Sequence, residues 1–237
     1  MIAILLNDAS FEQDIRELLM AFYPGETFTH KEEEAGEAEL IVRGVRDGNS
    51  FSLDVTPVKK EAVHFALIYP DFSNRFETKN EIKQTLYRLL SAQTGRELPW
   101  GTLTGIRPTK IALTKLYDGW TDEQIETYMR ETYFTSKEKI DLSIDVAERE
   151  RRLLSTIDYE NGYSLYVGIP FCPTTCLYCS FTSYPLVSWK NRVDAYLDAL
   201  EKEIDYTAAK FYHKHLNSIY IGGGTPTTLE PYQLDRL

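Results

Sequence analysis

The chain of 237 residues carries 26 basic and 36 acidic side chains, which gives a formal net charge of −10 and a pI near 5.0. This charge argues against nucleic acid as a partner, because neutralising phosphates requires clustered lysines and arginines. Hydrophobic residues make up 43% of the chain, which is enough for a core and excludes global disorder. The sequence contains no run of about 18 apolar residues, so it predicts no membrane-spanning helix. The apolar run Ile2–Leu6 follows no basic segment, so no secretory signal is predicted and the expected compartment is the cytoplasm.

Residues 1–163 are predicted to form an α+β domain. Ile2–Leu6 has the pattern of a buried strand, and Ser10 is the predicted cap of a helix. The apolar residues of that helix share one face at helical spacing: Phe11, Ile15, Leu18, Leu19 and Phe22. The acidic run Lys31–Glu39 is interpreted as a solvated loop.

A β-hairpin is predicted next, because Leu40–Val45 and Phe51–Val55 flank the turn signal Asp47-Gly48. Ala62–Tyr69 is predicted to add a third strand, with a helix left open as the alternative.

Helices dominate from there to about residue 154. The predicted helices are Glu77–Gln93, which Gly95 ends, Pro108–Tyr117, 122–133 and 136–154. Thr121 with Gln124 and Thr135 with Glu138 have the spacing of capping boxes at the starts of the last two.

The segment Pro99–Pro108 is unusual for a linker, because ten residues contain two glycines, two prolines, Trp100 and Arg107. Two interpretations stand. The segment is a packed loop in which Trp100 fills core, or it is a substrate or partner loop in which Arg107 meets a carboxylate.

All three cysteines of the chain, Cys172, Cys176 and Cys179, lie within eight residues, after the predicted strand Leu165–Ile169. A long amphipathic helix over Asn191–Phe211 and a second strand at Ser218–Ile221 complete a predicted βαβ unit. In parallel α/β barrels the loops that follow strands carry the active site.

Three thiols in this spacing indicate a metal site, since an odd number of cysteines cannot pair fully in disulfides. Three ligands on one tight loop fill three corners of an iron–sulfur cubane and leave one iron open. The alternative is a structural zinc site that His213 or His215 completes. A glycine run, Gly222-Gly223-Gly224-Thr225, follows the second strand and is suited to close backbone approach to a ligand.

The spacing C-x3-C-x2-C, with Tyr178 directly before the third cysteine, resembles the radical S-adenosylmethionine superfamily. Tyr166 and Ile169-Pro170-Phe171-Cys172, together with the glycine run, resemble its oxygen-independent coproporphyrinogen III oxidase group. The PWGTLTGIRPTK stretch that begins at Pro99 resembles the HemZ-type branch of that group.

The resemblance implies a site. Cys172, Cys176 and Cys179 would bind a 4Fe-4S cluster. The positions that match contacts to S-adenosylmethionine in the family are Tyr166, Tyr178, Gly223, Gly224 and Thr225. The implied fold is an N-terminal α+β accessory domain, 1–163, followed over 164–237 by the first βαβ unit of a truncated radical SAM (β/α)6-type partial barrel.

The resemblance also implies a reaction. A 5′-deoxyadenosyl radical would initiate the oxidative decarboxylation of coproporphyrinogen III to protoporphyrinogen IX, in porphyrin and haem biosynthesis. The partners would be this porphyrinogen, an electron donor for the cluster and an electron acceptor.

Two departures from the group keep an alternative open. Ser180-Phe181 follows Cys179 where a fourth cysteine is expected, and Gly168 precedes Ile169 where a histidine is expected. A related branch with C-x3-C-x2-C-x-F serves as a haem chaperone without decarboxylase activity. Because a six-unit partial barrel needs roughly 200 residues, we also expect a longer parent protein, of which residues 1–237 alone are inactive.

Overall fold

A computed structural model describes residues 1–58, 63–105 and 107–237. The chain separates into two compact units, Met1–Arg151 and Arg152–Leu237, and the fold is mixed α/β, as the sequence predicts. Whether residues 1–163 and 164–237 are separate functional domains stays a prediction. In the described ranges no helix is long and apolar enough to cross a membrane.

The strands within the described ranges are β1 (Ile2–Leu6), β2 (Phe28–Thr29), β3 (Leu40–Asp47), β4 (Ser50–Pro57), β5 (His64–Ile68), β6 (Gly162–Ile169), β7 (Phe171–Cys172), β8 (Tyr184–Pro185) and β9 (His215–Gly223). The α-helices are α1 (Glu12–Phe22), α2 (Arg75–Thr94), α3 (Thr109–Tyr117), α4 (Asp122–Tyr133), α5 (Lys137–Leu154), α6 (Leu186–Trp189), α7 (Val193–Lys210) and α8 (Pro231–Arg236).

The first unit is built on a five-stranded sheet in the order β2-β1-β3-β4-β5. β1 runs parallel to both neighbours, whereas β3, β4 and β5 form an antiparallel meander. Gly48 adopts a φ of +55°, which suits the tight turn between β3 and β4. The predicted hairpin and third strand are therefore confirmed, although Ala62 lies outside the described residues.

Helices α1 and α2 pack on this sheet and close its core. The predicted apolar face of α1 is confirmed, because its members are all buried: Phe11, Ile15, Leu18, Leu19 and Phe22. They meet side chains of β4 and α2: Phe51, Leu53, Val55, Ile82, Leu86 and Leu90. Burial of these side chains supplies the main stabilisation of the unit.

Two local predictions near the N-terminus were wrong. Ser10 does not cap α1; Asp8 caps a short 3₁₀ turn, Ala9–Phe11, and accepts a hydrogen bond from the Ser10 N–H over 3.0 Å. The run Lys31–Glu39 is not merely a solvated loop. It forms a 3₁₀ helix, Glu32–Glu37, and its two small apolar side chains, Ala35 and Ala38, are buried.

Of three further predicted helix ends, two are confirmed and one is wrong. Gly95, with a φ of +67°, ends α2 in the left-handed conformation, and Thr121 forms a complete capping box with Gln124. The box predicted at Thr135 is wrong, because the Thr135 hydroxyl is buried without a hydrogen-bond partner in the part of the chain that is described.

The segment 99–108 packs within the first unit, with Ile106 outside the described residues. Gly101 has a φ of +57°, and a Cβ there would lie 1.9 Å from the carbonyl oxygen of Tyr133. Thr102 donates its N–H to the same carbonyl over 2.8 Å. Arg107 pairs with Glu150 of α5. The structure thus supports a packed loop, although Trp100 is only half-buried and does not fill core, and the carboxylate that Arg107 meets belongs to the chain itself.

In the second unit, β6 and β9 form a parallel pair that α7 connects, so the predicted βαβ unit is confirmed. One face of the pair packs on α7 through Val167, Ile169, Val193 and Leu197. A two-residue parallel pair, β7 with β8, lies at the exit of β6.

Candidate functional site

The cysteine loop, residues 173–183, is closed at its base by the strand pair β7 and β8, which is called its neck below. Directly after β6 and Pro170, β7 pairs with β8 so that Cys172 lies opposite Pro185. The Tyr184 N–H donates to the Pro170 carbonyl over 2.8 Å. Because both ends of residues 173–183 are held by this pairing, the loop is anchored at the carboxyl end of a parallel strand, the position that α/β folds use for ligands.

The three thiols differ in their surroundings. Cys172, at the neck, is buried, Cys176 is exposed and Cys179 is intermediate. The Cys179 N–H donates to the Cys176 carbonyl over 3.1 Å, so these two cysteines are the first and last residues of one turn. The turn holds two of the three thiols on adjacent stretches of backbone.

The glycine run lies against the neck of the cysteine loop. Gly224 donates its N–H to the Ile169 carbonyl over 2.7 Å, and Thr225 donates to the Phe171 carbonyl over 2.8 Å. A Cβ on Gly224 would lie 2.7 Å from Cys172 Sγ, and Gly223 has a φ of +98°. Only glycine therefore allows this backbone to touch the Cys172 thiol.

A tyrosine pair covers the sheet face that faces away from α7. Tyr166 and Tyr220 are register partners on β6 and β9, and their rings stack with centroids 5.6 Å apart. Both rings stay exposed, at 60% and 66%. A Cβ on Gly222 would lie 3.1 Å from the Tyr166 hydroxyl, so this hydroxyl lies beside the glycine run.

Sequence reasoning missed two residues of this neighbourhood, Tyr220 and Tyr196. The register of a parallel pair could have indicated Tyr220, since it stands two residues before Gly222 as Tyr166 stands two before Gly168. Tyr196, on α7, donates its hydroxyl to the Gly168 carbonyl over 2.6 Å. Burial raises the pKa of Tyr196 above its usual 10.0, which keeps this donor protonated.

The structure does not bring every predicted residue together. Among the described residues, no three His, Cys, Asp or Glu side chains form a group that could hold a metal ion. Tyr178 is 89% exposed on the cysteine loop. Cluster binding by the three cysteines and cofactor contacts by Tyr166, Tyr178, Gly223, Gly224 and Thr225 therefore stay predictions.

The topology weighs against the zinc alternative. His215 begins β9 opposite Gly162, at the start of β6, whereas Cys172 follows the other end of β6. Eight residues of strand at about 3.3 Å each separate the two ends by roughly 26 Å. Neither His213 nor His215 is placed to complete a site with the thiols.

Known proteins resemble this chain over a long alignment in one case and over shorter alignments in others. The oxygen-independent coproporphyrinogen-III oxidase-like protein HemZ of Bacillus subtilis is 34% identical over 188 residues, covering 77% of this chain and 37% of HemZ. These relatives, HemZ, HemW and oxygen-independent coproporphyrinogen III oxidase, belong to one radical SAM group, and the chain is similar to each of them over part of its length. It spans little more than a third of the HemZ relative.

Two other relatives of this radical SAM group match over a shorter range. The heme chaperone HemW of Bacillus subtilis is 49% identical over 74 residues, 31% of this chain and 19% of HemW. The oxygen-independent coproporphyrinogen III oxidase of Salmonella typhimurium is 42% identical over 78 residues, 33% of this chain and 17% of the relative. No protein-family model and no solved structure matches the chain.

The donor set and its surroundings fit the cofactors that this radical SAM group implies. Thiolates are the ligands that iron–sulfur clusters require, and two of the three thiols reach the surface of an anchored loop. The backbone of Gly224 against Cys172 leaves a strip without side chains at the neck, as close approach of a small ligand requires. The residues fit these cofactors in the type of ligand atom and in their place on the fold. The three thiols do not form a preassembled group that could hold a metal ion among the described residues.

Proposed function

We propose that this chain carries the cofactor site of a cytoplasmic radical SAM enzyme that converts coproporphyrinogen III to protoporphyrinogen IX by oxidative decarboxylation. The observation that carries the proposal is the contact between the glycine run and the cysteine loop. Two motifs that are 43 residues apart in sequence, counted from Cys179 to Gly222, meet at one point, where the backbone of Gly224 touches the Cys172 thiol.

Each motif has its own role in the proposal. Cys172, Cys176 and Cys179 hold a 4Fe-4S cluster and leave one iron without a protein ligand. The N–H groups of Gly224 and Thr225 are already used by β6 and β7, so the run offers its exposed Cα edge and its carbonyls to S-adenosylmethionine. Tyr166 directs its hydroxyl along the same edge. Tyr178 stands on the loop as an exposed ring that can cover the cofactor.

The proposed decarboxylation requires a radical, an electron donor and an electron acceptor. When bound, the cluster and S-adenosylmethionine supply a carbon-centred radical that removes a hydrogen atom from the substrate. Each of two propionate side chains loses that hydrogen atom, carbon dioxide and one electron, and becomes a vinyl group. The reaction therefore needs an electron donor for the cluster and an acceptor for the substrate's electron.

A haem chaperone is the second candidate function. The observation that favours it is local, because Phe181 and Gly168 stand where the oxidase pattern has a cysteine and a histidine. Phe181 contributes its carbonyl to a contact with Cys179 Sγ at 3.8 Å and leaves its ring 78% exposed. The ring is free to contact an apolar ligand near the cysteine loop.

One experiment separates the two functions. The full-length protein, with its cluster reconstituted anaerobically, is incubated with coproporphyrinogen III, S-adenosylmethionine and a reductant, and the porphyrins are separated after oxidation. The proposal predicts protoporphyrin and release of two equivalents of carbon dioxide. The Cys176→Ser variant should lose this turnover, whereas Ser180→Ala on the same loop should keep it.

The same turnover experiment can also contradict the proposal. An intact cluster, stoichiometric haem binding and no decarboxylated product would contradict the enzyme and support the chaperone.

A further inference from the structure

Two tyrosines and two glycines form a repeated arrangement on the face of the β6–β9 pair that faces away from α7. Tyr166 and Tyr220 are register partners, and so are Gly168 and Gly222, each two residues further along its strand. Because residues two apart lie on the same face of a strand, each tyrosine has a glycine beside it towards the carboxyl end. The space that a side chain would fill there is left to the tyrosine rings.

Both rings lean over these glycines. A Cβ on Gly168 would lie 3.5 Å from Tyr166 Cε1, and a Cβ on Gly222 would lie 2.5 Å from Tyr220 Cε1. The Cβ on Gly222 would also lie 3.1 Å from the Tyr166 hydroxyl, so this hydroxyl reaches across to the neighbouring strand. It therefore lies beside the first residue of the glycine run.

The ring of Tyr220 is the neighbour that holds Tyr166 in this position. The two rings stack with centroids 5.6 Å apart and 24° between their planes. Among the described residues, Tyr166 has no other aromatic contact and its hydroxyl makes no hydrogen bond. Strand side chains commonly occupy either of two χ1 rotamers. A typical aromatic pair favours the stacked rotamer by roughly two- to tenfold.

Tyr220 has little other structural work in this unit. Its ring is 66% exposed, so it adds little to the buried core, and its hydroxyl has no hydrogen-bond partner in the described ranges. What its ring contacts is the ring of Tyr166 and the space above Gly222. A role of Tyr220 therefore acts through Tyr166.

We propose that Tyr220 is a positioning residue, whose ring holds the Tyr166 hydroxyl beside the glycine run for a hydrogen bond to bound S-adenosylmethionine. The inference rests on the function proposed above, because S-adenosylmethionine is the ligand that the hydroxyl serves. It has one strict consequence. The ring of Tyr220 matters for binding only while Tyr166 carries its hydroxyl.

A double-mutant cycle on the full-length, reconstituted protein tests this consequence. S-adenosylmethionine is titrated calorimetrically into the protein with its cluster oxidised, because reductive cleavage of the cofactor then lacks its electron. Tyr220→Leu and Tyr166→Phe should each raise the Kd about threefold or more. In the variant that carries both changes, the Kd should equal that of Tyr166→Phe alone.

Two further variants separate the ring of Tyr220 from other causes. Tyr220→Phe keeps the stacked ring and removes the hydroxyl, so its Kd should stay within about twofold of the unsubstituted protein. Tyr206→Leu removes an exposed tyrosine of α7 in the same unit and should leave the Kd unchanged.

A second measurement reads the position of the ring without S-adenosylmethionine. A fluorotyrosine at position 166 is observed by fluorine NMR in the reconstituted, oxidised full-length protein. We expect the same resonance with Tyr220 and with Tyr220→Phe. In Tyr220→Leu the resonance should shift towards that of the unfolded chain, because the ring samples both rotamers.

The outcomes distinguish this inference from the function on which it rests. If the unsubstituted protein binds S-adenosylmethionine, an unchanged Kd in Tyr220→Leu, additive losses in the cycle or an unmoved fluorine resonance would overturn the positioning role alone. Equal losses in Tyr220→Phe and Tyr220→Leu would also overturn it, since the hydroxyl of Tyr220 would then be the active group. No binding by the unsubstituted protein would overturn both the proposed function and the inference.

Discussion

The two β-sheets of this chain use their apolar residues in opposite ways. In the first unit, the central strands bury side chains such as Val42 and Leu53 completely beneath α1 and α2. In the second unit, Ile219, Tyr220 and Ile221 of β9 remain 57%, 66% and 42% exposed. The first sheet forms one side of a buried core, whereas much of β9 in the second sheet is not covered by any of the described residues.

This difference separates the unit that supplies most of the buried apolar area from the unit that carries the proposed cofactor site. The first unit gains its free energy of folding from covered apolar area. The second holds its motifs with a two-residue strand pair, backbone hydrogen bonds from the glycine run, a tyrosine stack and a smaller buried cluster that includes Phe171, directly before Cys172. Residues proposed to bind cofactors are therefore placed by backbone geometry together with local packing.

The largest expected effect is on core stability. Leu53→Ala removes a side chain with no exposed surface and should lower the free energy of unfolding by about 2–5 kcal/mol. Ile219→Ala, on the half-exposed face of β9, should cost less than about 1 kcal/mol. Chemical denaturation of the two variants checks this contrast, and equal losses would break the comparison.

A smaller effect is expected where the glycine run touches the cysteine loop. Gly224→Ala places a Cβ 2.7 Å from both Cys172 Sγ and the Phe171 carbonyl oxygen, so it should destabilise the second unit by about 1–3 kcal/mol. Gly36→Ala is the matched control, because a Cβ there meets nothing within 4 Å.

Hydrogen exchange of the β6 and β9 amides measures the Gly224→Ala effect directly. Faster exchange is expected in Gly224→Ala alone. Unchanged protection would show that the run does not pack against the neck of the loop.

The smallest effect concerns alkaline pH and a buried lysine of the first unit. Lys83 donates to Thr104 Oγ1 over 2.8 Å, and Thr104 donates to Glu17 over 2.8 Å. Burial lowers the pKa of Lys83 below its usual 10.5. Between the lowered value and 10.5 the unfolded chain holds a proton that the folded chain has lost, so the free energy of unfolding rises with pH.

Lys83→Met should remove this rise, which is at most about 1.4 kcal/mol per pH unit for one group. Lys79→Met, on the same helix and more exposed, should retain most of it, because burial is the largest cause of the lowered Lys83 pKa and the Lys79 charge a smaller one. Urea unfolding between pH 8 and 10.5 distinguishes them, and identical slopes for the two variants would contradict the assignment.

The sequence predicted elements that depend on local signals. The hairpin at Asp47-Gly48, the end of α2 at Gly95 and the βαβ order of the second unit follow from turn residues and hydrophobic period. Caps were less predictable, because Ser10 and Asp8 are both good capping residues and only the path of the chain selects Asp8.

Features that depend on tertiary contact could not be predicted. Nothing in the residues before α5 shows that the Thr135 hydroxyl is buried without a hydrogen-bond partner among the described residues. The cysteine and glycine motifs were visible from their spacing, but the approach of Gly224 to Cys172 and the stacking of Tyr220 on Tyr166 depend on strand register.

The central claim is that the cysteine loop holds a cluster with one iron open to S-adenosylmethionine. The most direct test is anaerobic reconstitution of the full-length protein, with iron and sulfide counts and electron paramagnetic resonance of the reduced protein with and without S-adenosylmethionine. We predict about four irons per chain and a spectrum that S-adenosylmethionine perturbs. Zinc in place of iron, or a cluster whose spectrum ignores S-adenosylmethionine, would contradict the account.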